Sequence, residues 1–427
     1  MTERFDIAVV GAGLAGLAAA RLAARDGARV VVLDPHPVGG RARTDGRDGY
    51  LFNRGPHAVY QGGSAERILA DLGVALRGGP PDIANAYGST AVRVGRLPAG
   101  PASLATTTLL GFRGKLAAAR LLNGLQRHDP AAVAGLTVNE WVDSLRLPPD
   151  TAALVHMLVR VSTYANAPDL FSAQVAVEQL QLALGRGVRY VDGGWQTLVD
   201  SLAIGLDVRR IAAAAVLRDG ADVVVLAAQD QADDPGRTGD PGREGAIVAD
   251  NAILAVGTPE AAAALVGSAP FEVGPPIEAA CWDVGLDTIP ERRGMFGIDE
   301  PLYASVHCPP ARLAPPGHAV VHVARYLAPT DDAAPADQRA ELVAHAARLG
   351  IGADRVVADR YLHRMTVVGA MPSAAHGGLV GRVAVDATGM PGVHLAGDWV
   401  GPEGHLADAA LASALVAARR ACANVAV

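Results

Sequence analysis

Two short stretches at opposite ends of the 427-residue chain have the residue types and spacing to grip a nucleotide. Near the N-terminus, the apolar run Phe5 to Val10 leads into Gly11-Ala12-Gly13-Leu14-Ala15-Gly16 and then into an alanine-rich stretch with helical character over residues 15–25. Gly11 permits a tight turn, Gly13 lets backbone approach a pyrophosphate, and Gly16 lets helix and strand pack closely. The first amides of the helix, at Leu14 and Ala15, add donors and a positive dipole end. A second apolar run, Ala28 to Leu33, ends in Asp34, an acid placed to accept hydrogen bonds from ribose hydroxyls. At the far end, Val393-His394-Leu395-Ala396-Gly397-Asp398-Trp399 precedes a helix-forming run from Leu406 to Ala423. Free amides at that helix start suit an electron-rich ring edge, which favours a flavin over a nicotinamide alone.

Between these ends stands Val38-Gly39-Gly40-Arg41-Ala42-Arg43-Thr44. The order GxGxxG, acidic strand end, GGRxxT, then a C-terminal LAGDW and helix resembles the flavin amine oxidase and phytoene desaturase superfamily. The middle stretch Tyr190 to Leu202, with Gly193-Gly194-Trp195, is similar to the signature of its phytoene and squalene desaturase branch. The resemblance implies non-covalently bound FAD. Gly11, Gly13, Leu14, Ala15 and Gly16 would face the pyrophosphate, and Asp34 the adenosine ribose. Gly39, Gly40 and Arg41 would sit beside the phosphates and flavin, and Gly55, Pro56 and His57 would pass close to the ring. Gly397 and Asp398 would meet the ribityl and pyrophosphate region, with the amides of Leu406 and Ala407 aimed at a flavin carbonyl. Residues 208–216 look like one strand bracketing adenine, with Ala213 in contact. The chain departs from the family pattern at Asp34, where Glu is usual, at Asn53, where an acid is common, and at Ala409 and Ala414, which replace glycines.

Length and composition set the frame. The chain is long enough for two domains, and half of it is apolar. Alanine supplies much of that half and aromatics only 4%, so the cores are expected to be built from small side chains. The expected class is α/β: a Rossmann-like FAD-binding domain from residues 1–85, 190–275 and 380–427, interleaved with an α+β substrate domain from 86–189 and 276–379, with the active site at their junction. Helical patterning covers 102–125 and 151–161, Ala319 to Ala324 reads as a strand, and residues 229–245 read as a mobile hairpin loop. A net charge of -7 argues against nucleic acid. Cys281, Cys308 and Cys422 are scattered, without CxxC spacing, which fits a reducing compartment and small buried hydrophobes. No metal-ligand constellation and no leader segment are visible, and no apolar run reaches the roughly 18 to 20 residues of a membrane span. A cytoplasmic location is the expectation, with peripheral membrane contact through residues 109–125 as a hypothesis.

For chemistry, a flavin between two domains accepts hydride from a substrate C–H bond, a step that needs position more than a strong acid or base. The expected activity is FAD-dependent dehydrogenation or desaturation of a hydrophobic small molecule, with oxygen or a quinone as electron acceptor. An amine oxidase, a redox-neutral isomerase and a flavin-retaining binding module are the alternatives. The amine oxidase reading is weakened because Lys115 is the only lysine and aromatics are few. His57 is the first candidate for a catalytic group, or else a histidine that holds its own loop. Trp399 either packs on the flavin or fills the core, and Arg54 is a phosphate or substrate ligand or a solvated charge. Tyr303 and Tyr326 could line the substrate cavity, while His307, His322, His363 and His405 read as structural.

Overall fold

The protein is described from a computed structural model covering residues 3–228 and 246–423, so the loop expected at 229–245 lies outside the described residues. Two seven-stranded sheets dominate an α/β architecture. The first runs in the order Ala213–Asp219, Asp222–Ala227, Ile247–Leu254, Arg4–Val10, Val30–Leu33, Asp207–Arg209, and Val393–Leu395 pairs with Ile247–Leu254. Its central strands are parallel and almost wholly buried, as strands covered on both faces must be. Two helices, Leu14–Arg25 and Ala407–Ala423, pack on this sheet and on each other. Their facing surfaces are alanines, among them Ala18, Ala19, Ala414 and Ala417 at 0% exposure, which bring the backbones close. Leu17, also fully buried there, would cost about 2 to 5 kcal/mol if cut to alanine.

The second sheet runs Val356–Val368, Ile277–Leu286, Ala319–Leu327, Leu302–Cys308, Gly294–Gly297, Ala86–Ser89, Val94–Arg96. The expected strand at Ala319 is therefore present and longer. The Pro335–Arg348 helix covers one face of this sheet, and the other face looks toward the site described below.

Two sequence expectations change. The helical pattern of 102–125 splits into Pro101–Thr106 and Phe112–Leu125. At the break, the Thr107 hydroxyl donates to Arg96 O and accepts from the Leu109 amide, and Asp150 accepts from the Gly111 amide at 2.7 Å. These side-chain bonds replace helix bonds. The single strand expected at 208–216 is two strands, Asp207–Arg209 and Ala213–Asp219. Arg209 O accepts from the Asp34 amide beside Val30–Leu33, and the chain then crosses to pair with Asp222–Ala227.

Candidate active site

The glycine turn after Arg4–Val10 is built by steric necessity. Gly11 has φ +107°, and a Cβ there would lie 2.5 Å from Ala255 O. A Cβ on Gly16 would lie 1.9 Å from Gly11 O, so Gly16 serves helix packing and does not face the cavity. Gly13 differs from both: no atom lies within 4 Å of its Cβ position. Its backbone is bare toward open space, a cradle that a bound group can enter.

That space is one continuous cavity of about 1720 Å³. Its walls bring together Gly11, Gly13, Leu14, Ala15, Asp34, Gly40, Arg41, Pro56, His57, Ala213, Gly397, Asp398, Leu406 and Ala407. Of the cofactor contacts expected from sequence, Gly16, Gly39 and Gly55 are not in the wall. Gly39 instead donates its amide to Ala12 O at 2.7 Å and bridges Gly13, closing the turn from behind. Gly55 has φ +76°, and its Cβ position would lie 2.8 Å from the Met365 Cε and 2.9 Å from the Cys281 Sγ.

The charged groups of this end are engaged with the protein. Asp34 accepts from the amides of Ala12 and His36, each at 2.8 Å, which fixes the carboxylate at the strand end. Arg41 donates to Asp398 at 2.6 Å and to Val367 O at 2.9 Å, and Asp398 also accepts from the Gly369 amide. The Ala407–Ala423 helix begins at the cavity, where its first amides lack partners within the helix. Leu406 just before it has φ +55°, a conformation unusual for a leucine. The backbone here is held by Arg382, buried, whose guanidinium donates to the carbonyls of Asp398, Glu403 and Gly404. Burial pulls the Arg382 pKa down to about 10.

His57 Nδ1 lies 3.1 Å from Gly55 O and its ring meets Trp195 edge-on at 4.8 Å. Burial lowers its pKa to about 4, so the ring is neutral at pH 7. The Gly55 contact is the loop-holding role, and the place in the cavity wall leaves one ring edge for a ligand. Arg54 lines the cavity, with Asp45 at 4.0 Å. Trp399 is 1% exposed, absent from the cavity wall and packed against Phe271. It fills the core.

Away from the glycine turn the cavity becomes a chamber walled by Leu154, Met157, Leu158, Val161, Leu180, Phe296 and Met365, with Tyr164, Tyr190, Tyr303 and His307 as its polar edge. Tyr326 is buried behind Tyr303 and outside the wall. Asp34 and Asp398 are the only carboxylates lining the cavity among the described residues, and both lie at the glycine-turn end. Lys115 donates to Ala105 O on the surface.

Comparison with known proteins fits this geometry. Residues 9–72 match the NAD(P)-binding Rossmann-like domain family. A putrescine oxidase solved with putrescine bound is 18% identical with a TM-score of 0.72, covering 98% of this chain and 99% of that one. The cyclohexylamine oxidase of Brevibacterium oxydans is 15% identical with a TM-score of 0.71, covering 99% and 98%. The chain shares the fold of these two oxidases. Sequence similarity to curated proteins is local: 72 residues are 40% identical to human all-trans-retinol 13,14-reductase, 16% of this chain and 12% of that protein. The matched segment thus spans about an eighth of the relative's length.

The structure also joins one polar residue that the sequence reading passed over, Asp283, with two histidines that it read as structural. Asp283 and His322, both 0% exposed, meet through His322 Nδ1 and an Asp283 oxygen at 2.5 Å, and Arg360 donates to the other oxygen at 2.6 Å. His307, taken as structural, stands in the cavity wall, stacked on Tyr190 at 3.6 Å. The signal was there: a carboxylate between Trp282 and Val284, and an imidazole between Val321 and Val323, are costly inside a core unless paired.

Proposed function

We propose that the chain is an FAD-dependent oxidoreductase that removes hydride from a C–H bond of a hydrophobic small molecule. The observation that carries the reading is the single cavity, running without interruption from the glycine turn and a helix N-terminus into an apolar chamber. The residues present fit FAD. Gly13 leaves room for a pyrophosphate, the Leu14 and Ala15 amides supply donors, and Asp34 stands at the strand end where a ribose is held. Gly40, Arg41, Gly397 and Asp398 would flank the remainder of the cofactor, Ala213 its adenine, and Leu406 and Ala407 the flavin edge. When bound, non-covalent FAD supplies the hydride acceptor. The chain's part is to hold the substrate C–H in line and to keep water from the chamber. Residues 1–85, 190–275 and 380–427 would bind the cofactor, and 86–189 with 276–379 would form the chamber. The relatives, named as oxidases or a reductase, support the class.

A dehydrogenase or desaturase is favoured over an amine oxidase because the chamber end presents neither carboxylate nor lysine among the described residues to meet an ammonium group. Oxygen or a quinone would re-oxidise the flavin. No described helix is long and apolar enough to cross a membrane. Phe112 and Leu116, 78% and 44% exposed on a helix that walls the chamber, would provide any peripheral membrane contact, whereas Leu109 and Leu110 are buried.

The test is anaerobic. Protein reconstituted with FAD is mixed with alicyclic and prenyl compounds, and separately with primary amines, while flavin absorbance is followed. Bleaching by the hydrocarbons supports the proposal. Bleaching by amines alone, with peroxide released in air, replaces it with the oxidase reading, and failure to take up FAD defeats both.

A further inference from the structure

A row of polar side chains crosses the second sheet beneath the chamber. Arg360 lies opposite Asp283, Asp283 opposite His322, and His322 opposite Ser305, on four successive strands. Directly opposed residues share a face, and alternation along Leu302–Cys308 adds Tyr303 and His307 to it. Both line the cavity. The other face, with Trp282, Val284, Val321 and Val323, is apolar and packs under the Pro335–Arg348 helix. Asp283 steadies Arg360, which reaches on to Asp45 and to the Asn53 carbonyl, but that ion pair does not require the two imidazoles on the chamber side.

The hydrogen bonds have a direction. Burial works against the Asp283 charge, yet His322 and Arg360 together outweigh it and hold the carboxylate below the usual range. His322 Nδ1 therefore donates to Asp283, leaving Nε2 without a protein partner. The His307 ring stands edge to face with His322 at 4.4 Å, and its Nδ1 is also unpartnered. Its Nε2 lies 3.2 Å from the Tyr303 hydroxyl. Burial, with His322 and His57 nearby, drives the His307 pKa well below its ordinary value, so this ring carries a single proton. The Tyr303 hydroxyl also stands 3.4 Å from the Tyr190 hydroxyl; when it donates to the nearer His307 Nε2, the His307 proton sits on Nδ1. His307 Nδ1 and His322 Nε2 are both unpartnered on these neighbouring rings, and a relay between them requires a ring rotation or one bridging water.

We propose that Tyr303, His307, His322 and Asp283 form a proton relay out of the chamber, with Tyr303 as the group that meets the substrate. The proposal rests on the reading of the cavity as a substrate chamber. The substrate proton bonds to the Tyr303 oxygen as the hydroxyl proton passes to His307 Nε2. The His307 Nδ1 proton passes to His322 Nε2, and the charge ends as an imidazolium against the Asp283 carboxylate. The Tyr303 oxygen and the His307 ring as a whole each gain one proton and lose one, His307 ending with its proton on Nε2 in place of Nδ1, and His322 keeps the proton it receives. Such a path is what a dry chamber needs when a C–H pair must lose a proton as well as a hydride.

The experiment has two arms, both on FAD-loaded protein. In the first, nitrogen-15 histidine spectra are compared for wild type, Asp283→Asn, His307→Gln and Tyr303→Phe. The relay requires Asp283→Asn to shift the ring nitrogens of His322 and of His307, and Tyr303→Phe to shift the His307 ring nitrogens. If Asp283→Asn moves His322 alone, the row is a set of separate structural bonds and the relay is overturned. Should that variant not fold, His307→Gln read at His322 Nε2 decides the same question. In the second arm, the alicyclic and prenyl panel bleaches the flavin anaerobically. Tyr303→Phe and His307→Gln are expected to slow bleaching on the order of 100-fold with little change in apparent KM. Wild-type bleaching that both variants match overturns the relay and leaves the oxidoreductase reading intact. A wild type that no compound bleaches counts against that reading, while the spectra still decide the relay.

Discussion

Arg41 and Asp398 stand 357 positions apart in the chain and form an ion pair of 2.6 Å in the wall of the cavity. The pair joins the turn after the first two strands to the segment before the last helix, so the two ends of the chain are fastened at the site itself. Asp398 is 4% exposed, and removing the arginine leaves its charge without its nearest counter-ion. Arg41→Met is therefore expected to cost about 3 kcal/mol, and Asp398→Asn clearly less, because asparagine keeps the acceptor and leaves no buried anion. Thermal unfolding of both variants without FAD checks the order. Equal losses would show that the pair matters only through lost contact.

Within one turn, Gly11 serves the fold, and under the proposed function Gly13 would serve the cofactor. At Gly11 an alanine meets Ala255 O at 2.5 Å with φ +107°, so Gly11→Ala is expected to destabilise the protein by several kcal/mol and to yield little soluble material. At Gly13 the Cβ meets no protein atom. Gly13→Ala should unfold at the wild-type temperature without FAD and bind FAD at least tenfold more weakly, measured by flavin fluorescence on titration. A variant that binds FAD normally would mean the cofactor backbone passes elsewhere.

How much of this was legible in sequence depended on whether a feature is local. The glycine turn, Asp34, Gly40, Arg41, Gly397 and the start of the last helix were readable because each sits in a contiguous segment whose backbone needs those residue types. Gly16 takes the packing role that the glycine turn assigns to it, whereas the place of Gly39 behind the turn was not readable, because the Gly39-Gly40-Arg41 run does not say which of its glycines closes the turn and which lines the cavity. The strand break near residue 210 was hidden because alanines 212–215 fit an extended run of either length. The Asp283, His322 and His307 row could not be assembled, because its members come from separate strands and only sheet register makes them neighbours.

His345 and His405 make the fold acid-sensitive. Both are 1% exposed, with Nε2 beside the carbonyls of Met295 and Thr163, and burial lowers each pKa to about 4. The folded pKa lies below the unfolded value near 6.5, so the unfolded chain binds protons first as pH falls. Stability is then full above pH 6.5 and lost between there and about pH 4, by up to about 3 kcal/mol for each ring. Denaturation midpoints from pH 7.5 to pH 4.5 should fall steeply in wild type and less steeply in His345→Gln and His405→Gln. Parallel curves for all three would remove these rings as the cause.

Asp408 acts with the opposite sign. It lies in the first turn of the Ala407–Ala423 helix, seated on Gly63, and accepts from the Ala65 amide at 2.7 Å at the start of the Ser64–Asp71 helix. Burial is the main cause that raises its pKa to about 6, with Glu403 and Glu66 adding to it against the Ala65 bond and Arg67. The folded protein holds this proton more tightly than the unfolded chain does, so stability declines as pH rises from about 4 to about 6 and stays lower above. Asparagine can keep the bond from Ala65 without the charge. Asp408→Asn is thus expected to gain up to about 3 kcal/mol at pH 8 and nothing near pH 4. Because this helix opens onto the cavity, a firmer seat at Asp408 should also slow FAD loss from the holoprotein at pH 8. A variant less stable than wild type at pH 8 would mean that the carboxylate charge, through the Ala65 amide and the helix dipole, is worth more than its burial costs.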